Sequence, residues 1–444
     1  MKKTTKKRIA LSLALLSALT AGVALSACAH KHNWTDWSVV ELGTCTERTI
    51  ERRVCKDNPS HTEERGLFFH HEYDENGKCT LCGEQKESEG LAFTLTGDGT
   101  YRLSGIGECK DTAIVVPKEY RGVEVTSIEN GAFFGNVALR YVKLSSNILR
   151  IGNSAFNGCA ALETVEFGEG LEKIGTSAFD GCVSLKEVTL PDTVKTVGQR
   201  AFYECASLVS ADLGASVESI SAEAFSGCVK LQTVSLGDKI KTIGAEAFEE
   251  CGELSNVSLG NELLSIGDAA FSRCKKLSGI ALPNTLETIG TYAFRECIAL
   301  QEIAIPVGVK TINLAAFSGC TELKRVSFAE GLERIAGNAF KDCAALSSIE
   351  LPASLSAIGE KAFGGCIVLE TVVIGALETA SADAFEKCLL LKAVYFRGAQ
   401  AEWENSAAAT ISTFKAAAVL YYSEAEQTGT GRHWHFVDET PTIW

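Results

Sequence analysis

Basic residues are scarce in this chain. Its 444 residues include 42 Lys and Arg against 56 Asp and Glu, a net charge of −14. Five of the cations, Lys2, Lys3, Lys6, Lys7 and Arg8, fall in the first 27 residues, which hold no acid; the remainder carries −19. A surface of that sign repels phosphates and anionic headgroups, which argues against nucleic acid as a partner and against a polybasic anchor. Histidine is missing from His71 to His433, so that stretch cannot build a Ser-His-Asp or Cys-His arrangement from its own residues. Acids are too numerous for any carboxylate pair to stand out as a catalytic signal. Phosphate loops are missing too, since Gly97-Asp98-Gly99 lacks the lysine and the helix such a loop needs.

One long apolar run is present, Ile9 to Ala24, directly after the basic start. It is short for a membrane span and suits the core of an export signal. It ends at Leu25-Ser26-Ala27-Cys28. That tetrapeptide resembles the lipobox of bacterial lipoproteins; the alternative is an ordinary secretory signal with a chance cysteine. The resemblance implies diacylation of Cys28 and a protein held at the extracellular face of the cell membrane through lipid alone. Two acyl chains at ~0.8 kcal/mol per buried methylene anchor stably.

The dominant feature is a repeat. Ala-Phe recurs with Phe133, Phe156, Phe179, Phe202, Phe225, Phe248, Phe271, Phe294, Phe317, Phe340 and Phe363, always 23 residues apart; Phe385 follows one residue early. A cysteine stands three residues after Phe in eleven of these twelve copies, and Asn136 takes its place in the first. The unit from Ile174 reads Ile-Gly-x-x-Ala-Phe-x-x-Cys-x-x-Leu-x-x-Val-x-Leu-Pro. Phe179, Cys182 and Leu185 are spaced by three, which predicts one face of a short helical or 3₁₀ turn. Val188 and Leu190 alternate, which predicts a short strand with one buried face. Pro191, or Gly168 one unit earlier, ends that strand. The position after Ile is Gly in seven copies and Glu129, Ser221, Asn313, Ala336 or Ser381 in the others, so positive φ is not required there.

One unit cannot bury these side chains alone, whereas stacked units share a continuous core. The expected fold is α/β but β-dominated: about twelve 23-residue rungs with short helical turns, capped at both ends. Twelve strands at sheet spacing give a rod about 55 Å long. The unit resembles the BspA-type leucine-rich repeat of bacterial surface proteins, over about residues 91–396. That resemblance implies a right-handed solenoid that binds partners. The asparagine of commoner leucine-rich repeats is missing. The chain thus divides into a leader (1–27), a small Cys/His/Trp module with linker (28–90), an N-terminal cap (91–127), the repeats (128–398) and a C-terminal cap or tail (399–444). Trp403, Tyr421 and Trp434 in the tail read as cap-packing aromatics, with sugar stacking as the alternative.

Seventeen cysteines pose separate questions. The ladder of eleven cannot pair completely, and parallel Cβ vectors suit bridges poorly, so these read as buried thiols. The N-terminal module resembles small His/Trp/Cys modules of bacterial surface proteins over residues 30–84. Within it, Cys79-x-x-Cys82-Gly83 has zinc-knuckle spacing, with Cys55 and His71 as completing ligands. Cys55 has no cysteine three residues on. Disulfides such as Cys45–Cys55 are the competing reading, and a redox CxxC a third. The adjacent histidines favour zinc. No cofactor is expected in the solenoid.

The outward strand positions make a candidate binding face: Tyr141, Lys143, Glu166, Glu187, Asp212, Glu302, Arg325, Glu350 and Tyr395 carry its larger groups, and Gly279/Ala281 lie in the seventh rung. No aromatic cluster marks a hot spot there. The sequence therefore reads as a non-catalytic surface lipoprotein, a monomer, whose solenoid binds an extracellular protein or glycan, as in adhesion. The alternatives are a spacer presenting the zinc module and an extracellular metal- or thiol-dependent enzyme.

Two outcomes are expected. A palmitate analogue fed to expressing cells labels the protein and fails to label Cys28→Ala; persistent label refutes lipidation. The purified mature chain carries near-stoichiometric zinc by elemental analysis and loses it in Cys79→Ser; zinc-free protein with oxidised cysteines selects disulfides instead.

Overall fold

Repeated Ile and Val positions create two columns of strands, one more than the Val-x-Leu alternation predicts. The computed structural model describes residues 33–41, 49–67, 78–79, 85–423, 433–437 and 440–443. These fall into two compact units, divided between Lys86 and Glu87. Cys28, Cys45, His71 and Cys82 lie outside the described residues.

In the larger unit, the two residues ending at the Ile of each rung pair in parallel and in register with the next, as in Lys173–Ile174 with Thr196–Val197. This column runs unbroken from Val123–Ile128 to Thr379–Ala380 and continues into the N-terminal hairpin Ala92–Leu95/Tyr101–Gly105, within one fifteen-stranded sheet. The second column holds the strands anticipated from Val-x-Leu, but as four separate sheets. One break falls at the seventh rung, where residues 279–281 form no strand. Gly279 there has no side chain to pack against its neighbours.

The third corner is the Ala-Phe segment. Where a helical or 3₁₀ turn is predicted, the chain makes linked turns, closed by bonds such as Cys159 N–H to Phe156 O (3.1 Å) and Leu162 N–H to Cys159 O (3.0 Å). Left-handed residues flank Ala-Phe: Ser154 (φ 53°) and Gly158 (φ 72°) in one rung, Glu246 (φ 56°) and Glu250 (φ 61°) in another. Alternating hand aims successive donors along the stack instead of around a helix. Ser154, Phe156 and Gly158 accordingly donate to Thr176, Ala178 and Asp180 of the next rung at 2.7–2.8 Å. A left-handed conformation costs a non-glycine residue roughly 1–2 kcal/mol. A net hydrogen bond returns about 1 kcal/mol, and core burial supplies the rest.

The interior is apolar and filled by stacked side chains. The ladder phenylalanines from Phe156 to Phe363 are fully buried at 0% exposure. The rings from Phe133 to Phe385 stack face to face with centroids 4.8–5.5 Å apart and planes within 13°. Each ladder thiol donates to the Phe carbonyl of the preceding rung, as Cys159 Sγ to Phe133 O at 3.1 Å and Cys274 Sγ to Phe248 O at 3.2 Å. The first rung has no such carbonyl before it. Asn136 stands there instead, its Oδ1 accepting from the Ala138 and Leu139 N–H groups. The ladder cysteines form no disulfides.

Glycine after Ile has a reason other than φ. A Cβ at Gly198 or Gly290 would lie 2.6 or 2.4 Å from the backbone of the rung before. Where another residue stands, its side chain can reach back: Ser221 Oγ donates to Val197 O at 2.6 Å and Asn313 Nδ2 to Ile289 O at 2.7 Å.

The C-terminal cap satisfies the last rung. Helix Gln400–Asn405 is followed by two 3₁₀ turns, Ala407–Thr410 and Ser412–Ala416. Ser406 Oγ accepts from Leu377 N–H, and Thr413 Oγ1 donates to Phe385 O. Phe414 extends the ring stack at 4.8 Å from Phe385. Trp403, Tyr421 and Trp434 are buried, and Trp434 Nε1 donates to Phe396 O at 3.0 Å.

The smaller unit is a three-stranded antiparallel sheet of Ser38–Glu41, Thr49–Val54 and Thr62–Leu67. Arg53 lies over both Trp34 (4.9 Å) and Trp37 (4.6 Å), and Arg65 covers Trp37 at 4.3 Å. Such contacts contribute roughly 0.5–1 kcal/mol each where exposed. They give cohesion to a segment poor in aliphatic residues.

Burial pushes the Cys159 and Cys320 thiols of the ladder up, to about 11 and about 12, from an ordinary 9.0. They therefore resist alkylation until the solenoid unfolds; rapid native labelling at several positions contradicts burial. An unfolded chain loses these protons first as pH rises. Stability is therefore full below about pH 9 and falls between pH 9 and 12. Denaturant midpoints at pH 8 and 10.5 measure that fall, which Cys→Ala variants reduce.

Candidate binding surfaces

The outward strand positions are brought into rows by the in-register stacking, but charge is arranged differently from a free interaction face. Lys143 Nζ lies 3.3 Å from Glu166 of the next rung, and Tyr141 donates its hydroxyl to the same carboxylate at 2.7 Å. Partial burial and this carboxylate raise the Tyr141 hydroxyl well above its usual range. Arg325 pairs with Glu302 at 3.6 Å, and Glu350 with Arg397. Tyr395 meets Trp434 edge to face at 5.3 Å. Exposed pairs of this kind contribute about 0–1 kcal/mol, so they adjust the surface more than the fold. Five of the nine candidate residues thus contact an adjacent rung through charge or hydrogen bond, Glu350 reaches Arg397 further along the stack, and Tyr395 meets the C-terminal cap through its ring.

Glu187 and Asp212 differ. They occupy the four-stranded sheet Glu187–Thr189, Ser210–Asp212, Thr233–Ser235 and Asn256–Ser258. Above its edge runs an open groove of about 570 Å³, where Thr189, Asp212 and Ser235 meet the loop acids Glu169, Asp192 and Asp238. Asp212 Oδ1 accepts from Gly214 N–H at 3.2 Å, and Asp192 Oδ1 from Ala215 N–H at 2.8 Å. The loops are thereby fixed while further carboxylate oxygens face the groove's solvent. A second hollow of about 250 Å³ continues over Ser210, Thr233 and Asn256. The surface is polar, acidic and hydroxyl-rich, suited to lying along an extended partner.

The long sheet has its own outward row, which the sequence reading passed over. In register it runs Arg102, Ser127, Arg150, Lys173, Thr196, Ser219, Thr242 and Ser265. The signal was available in the 23-residue period as the residue just before each buried Ile or Val. Its N-terminal end opens into a groove of about 500 Å³ beneath the Thr96–Thr100 turn.

In the smaller unit Cys55 and Cys79 are buried. His71 and Cys82, which the zinc reading also needs, lie outside the described residues. No cluster of three metal-ligating side chains occurs among the described residues. Two soft, buried sulfur donors fit zinc in kind. Where zinc binds, Cys55 and Cys79 would be the ligands contributed by the described residues of this unit.

No protein with a curated functional description matches the chain. Among solved structures, a leucine-rich repeat protein from Bacteroides ovatus is 26% identical, covering 75% of this chain and 98% of its own, with a TM-score of 0.50. A leucine rich cell surface protein from Faecalibacterium prausnitzii is 24% identical over 74% of this chain and 98% of its own, with a TM-score of 0.40. The pneumococcal vaccine antigen PcpA is 20% identical over 76% and 93%, at 0.48. The BspA type leucine rich repeat region matches as six copies over residues 109–220, 195–313 and 287–412. Those matches follow the rungs whose Phe, Cys and Ile ladders build the core, and the chain belongs to the BspA-type leucine-rich-repeat family.

Proposed function

We propose that this protein is an exported lipoprotein, tethered through Cys28 at the extracellular face, whose solenoid binds an extracellular protein or glycan without chemical turnover. One observation carries the reading: the acidic, hydroxyl-lined groove over the middle strand rungs, built around Asp212 on a rigid sheet. A preformed polar surface of this length favours an extended partner, because small ligands favour enclosed, apolar pockets. The side chains of the core are consumed by packing, and two of the groove's acids, Asp192 and Asp212, are held by backbone donors, which supports recognition over catalysis. The lipobox-like Leu25-Ser26-Ala27-Cys28 supports surface retention, where such a partner is met.

Lys143 and Arg325 are poor probes of this face because each is engaged by a carboxylate of a neighbouring rung. Glu187→Lys with Asp212→Lys is the sharper variant. Screened against extracellular proteins and glycans, the mature wild-type chain captures a partner. The double variant loses at least tenfold in affinity, about 1.4 kcal/mol, with thermal stability nearly unchanged. Undiminished binding places recognition on another surface. Hydrolysis of a glycan or peptide by the wild type overturns the non-enzymatic reading.

A further inference from the structure

The groove at the N-terminal end of the long sheet is distinct from the strand face and is not needed by the reading above. Arg150 and Lys173 stand side by side in its wall, in register on adjacent parallel strands. Like charges at that spacing repel, and the nearby acids are committed elsewhere: Glu129 to Arg102 at 3.4 Å and Glu172 to Lys195 at 3.6 Å. Neither Arg150 nor Lys173 forms an ion pair among the described residues. Two unneutralised cations together are unusual in a chain whose acids outnumber its bases.

The other walls are donors. Asn130 Oδ1 accepts from Asn153 N–H at 2.7 Å, and Asn153 Oδ1 from Thr176 N–H at 2.9 Å. With both amide oxygens engaged, each Nδ2 is left with hydrogens to give. Arg102 Nε is buried with no acceptor among the described residues. Gly152 and Gly175 keep the floor bare, since a Cβ at either would fall 2.6–2.7 Å from the Asn130 or Asn153 backbone. Asp98 closes the far end in the turn, where Thr96 and then Thr100 hold its carboxyl down at about 2. It stays ionised and can accept from a hydroxyl.

We infer that this groove binds a carboxylated sugar residue, its carboxylate between Arg150 and Lys173 and its hydroxyls toward Asp98 and the Asn130/Asn153 amides. An arginine beside a lysine suits one planar carboxylate. The acids Asp98 and Glu129 disfavour a highly charged phosphate polymer and demand a ligand that also donates hydrogen bonds. The volume of about 500 Å³ accommodates a short saccharide. The hydroxyl row Thr196, Ser219, Thr242 and Ser265 leads away from the cations and offers a track for further sugar residues.

Calorimetric titration of the mature chain tests this with oligogalacturonate, its fully methyl-esterified form and glucose 6-phosphate. Oligogalacturonate binds, the ester does not, and the phosphate sugar binds more weakly. Arg150→Ala with Lys173→Ala lowers oligogalacturonate affinity at least tenfold with an unchanged melting curve, while Glu187→Lys with Asp212→Lys leaves it intact. Absence of oligogalacturonate binding, equal binding of the ester, or equal binding by the Arg150/Lys173 variant overturns the inference. Stronger binding of the phosphate sugar overturns the carboxylate assignment.

Discussion

The structure depends on the carbonyl of the ladder phenylalanine. From Phe156 to Phe363 that oxygen accepts the N–H of the cysteine three residues on, and a thiol of the next rung reaches it as well, as from Cys182 to Phe156 O, 26 residues away. One acceptor thus closes the local turn and ties two rungs together. It lies in an interior where an unsatisfied polar group costs about 1–3 kcal/mol, so the second donor matters. A thiol is small, fits the apolar column beside the rings and carries the hydrogen needed. Alanine would pack but leave one of the two donors missing, and serine would have to be desolvated more severely. The same logic fixes the period: a residue gained or lost within the corner breaks this register. The single early copy, Phe385, keeps it only because its lost residue lies in the loop that follows strand Thr371–Ile374, outside the corner.

How much of this was legible follows from which groups carry a side-chain signal. Phe, Cys, Leu and Val recur at fixed spacing, so the solenoid, its core and the strand face could be read from residue type alone. The left-handed positions could not. Arg200, Glu223, Tyr292 and Asn338 adopt positive φ at one of them, and Glu204, Arg273 and Asp342 at the other. Nothing in those side chains announces it, because the conformation is imposed by bonding between rungs rather than by local preference. A helical spacing of three was therefore read as a helical turn, although alternating hand turns the same spacing into a ladder of donors. The second sheet was missed for a related reason. Its strands are two residues long, too short to show alternation, and gain regularity only from stacking.

Surface charges were legible as residues but not as partners. Lys143 and Arg325 are cations on the outward face, yet the 23-residue register places Glu166 and Glu302 beside them. The same register pairs Arg140 and Lys186 with Glu163, and Lys276 with Glu253. In a repeat protein, opposite charges at one position of adjacent rungs neutralise each other along the stack. A sequence reading that takes rungs singly counts such residues as available. Reading the same position across rungs shows where compensation fails, as it does between Arg150 and Lys173.

A stack of near-identical rungs presents the same surface many times, which favours weak contacts repeated over a long partner. A site that distinguishes one ligand needs the repeat to be broken. Here the break is supplied by the caps, which exist for another purpose. The Ala92–Leu95/Tyr101–Gly105 hairpin covers the open edge of the first rung, as any exposed sheet edge requires. Covering it brings the Thr96–Thr100 turn over the end of the outward row, so Asp98 and Arg102 meet residues from the first repeats. Thr100 Oγ1 lies 3.0 Å from Thr126 Oγ1, which fixes that turn against the strand entering the first rung. The groove's shape therefore comes from the cap and its charge from the rungs. Substitutions on the exposed groove wall can change recognition without disturbing the ladders, because the core lies on the opposite side of every strand.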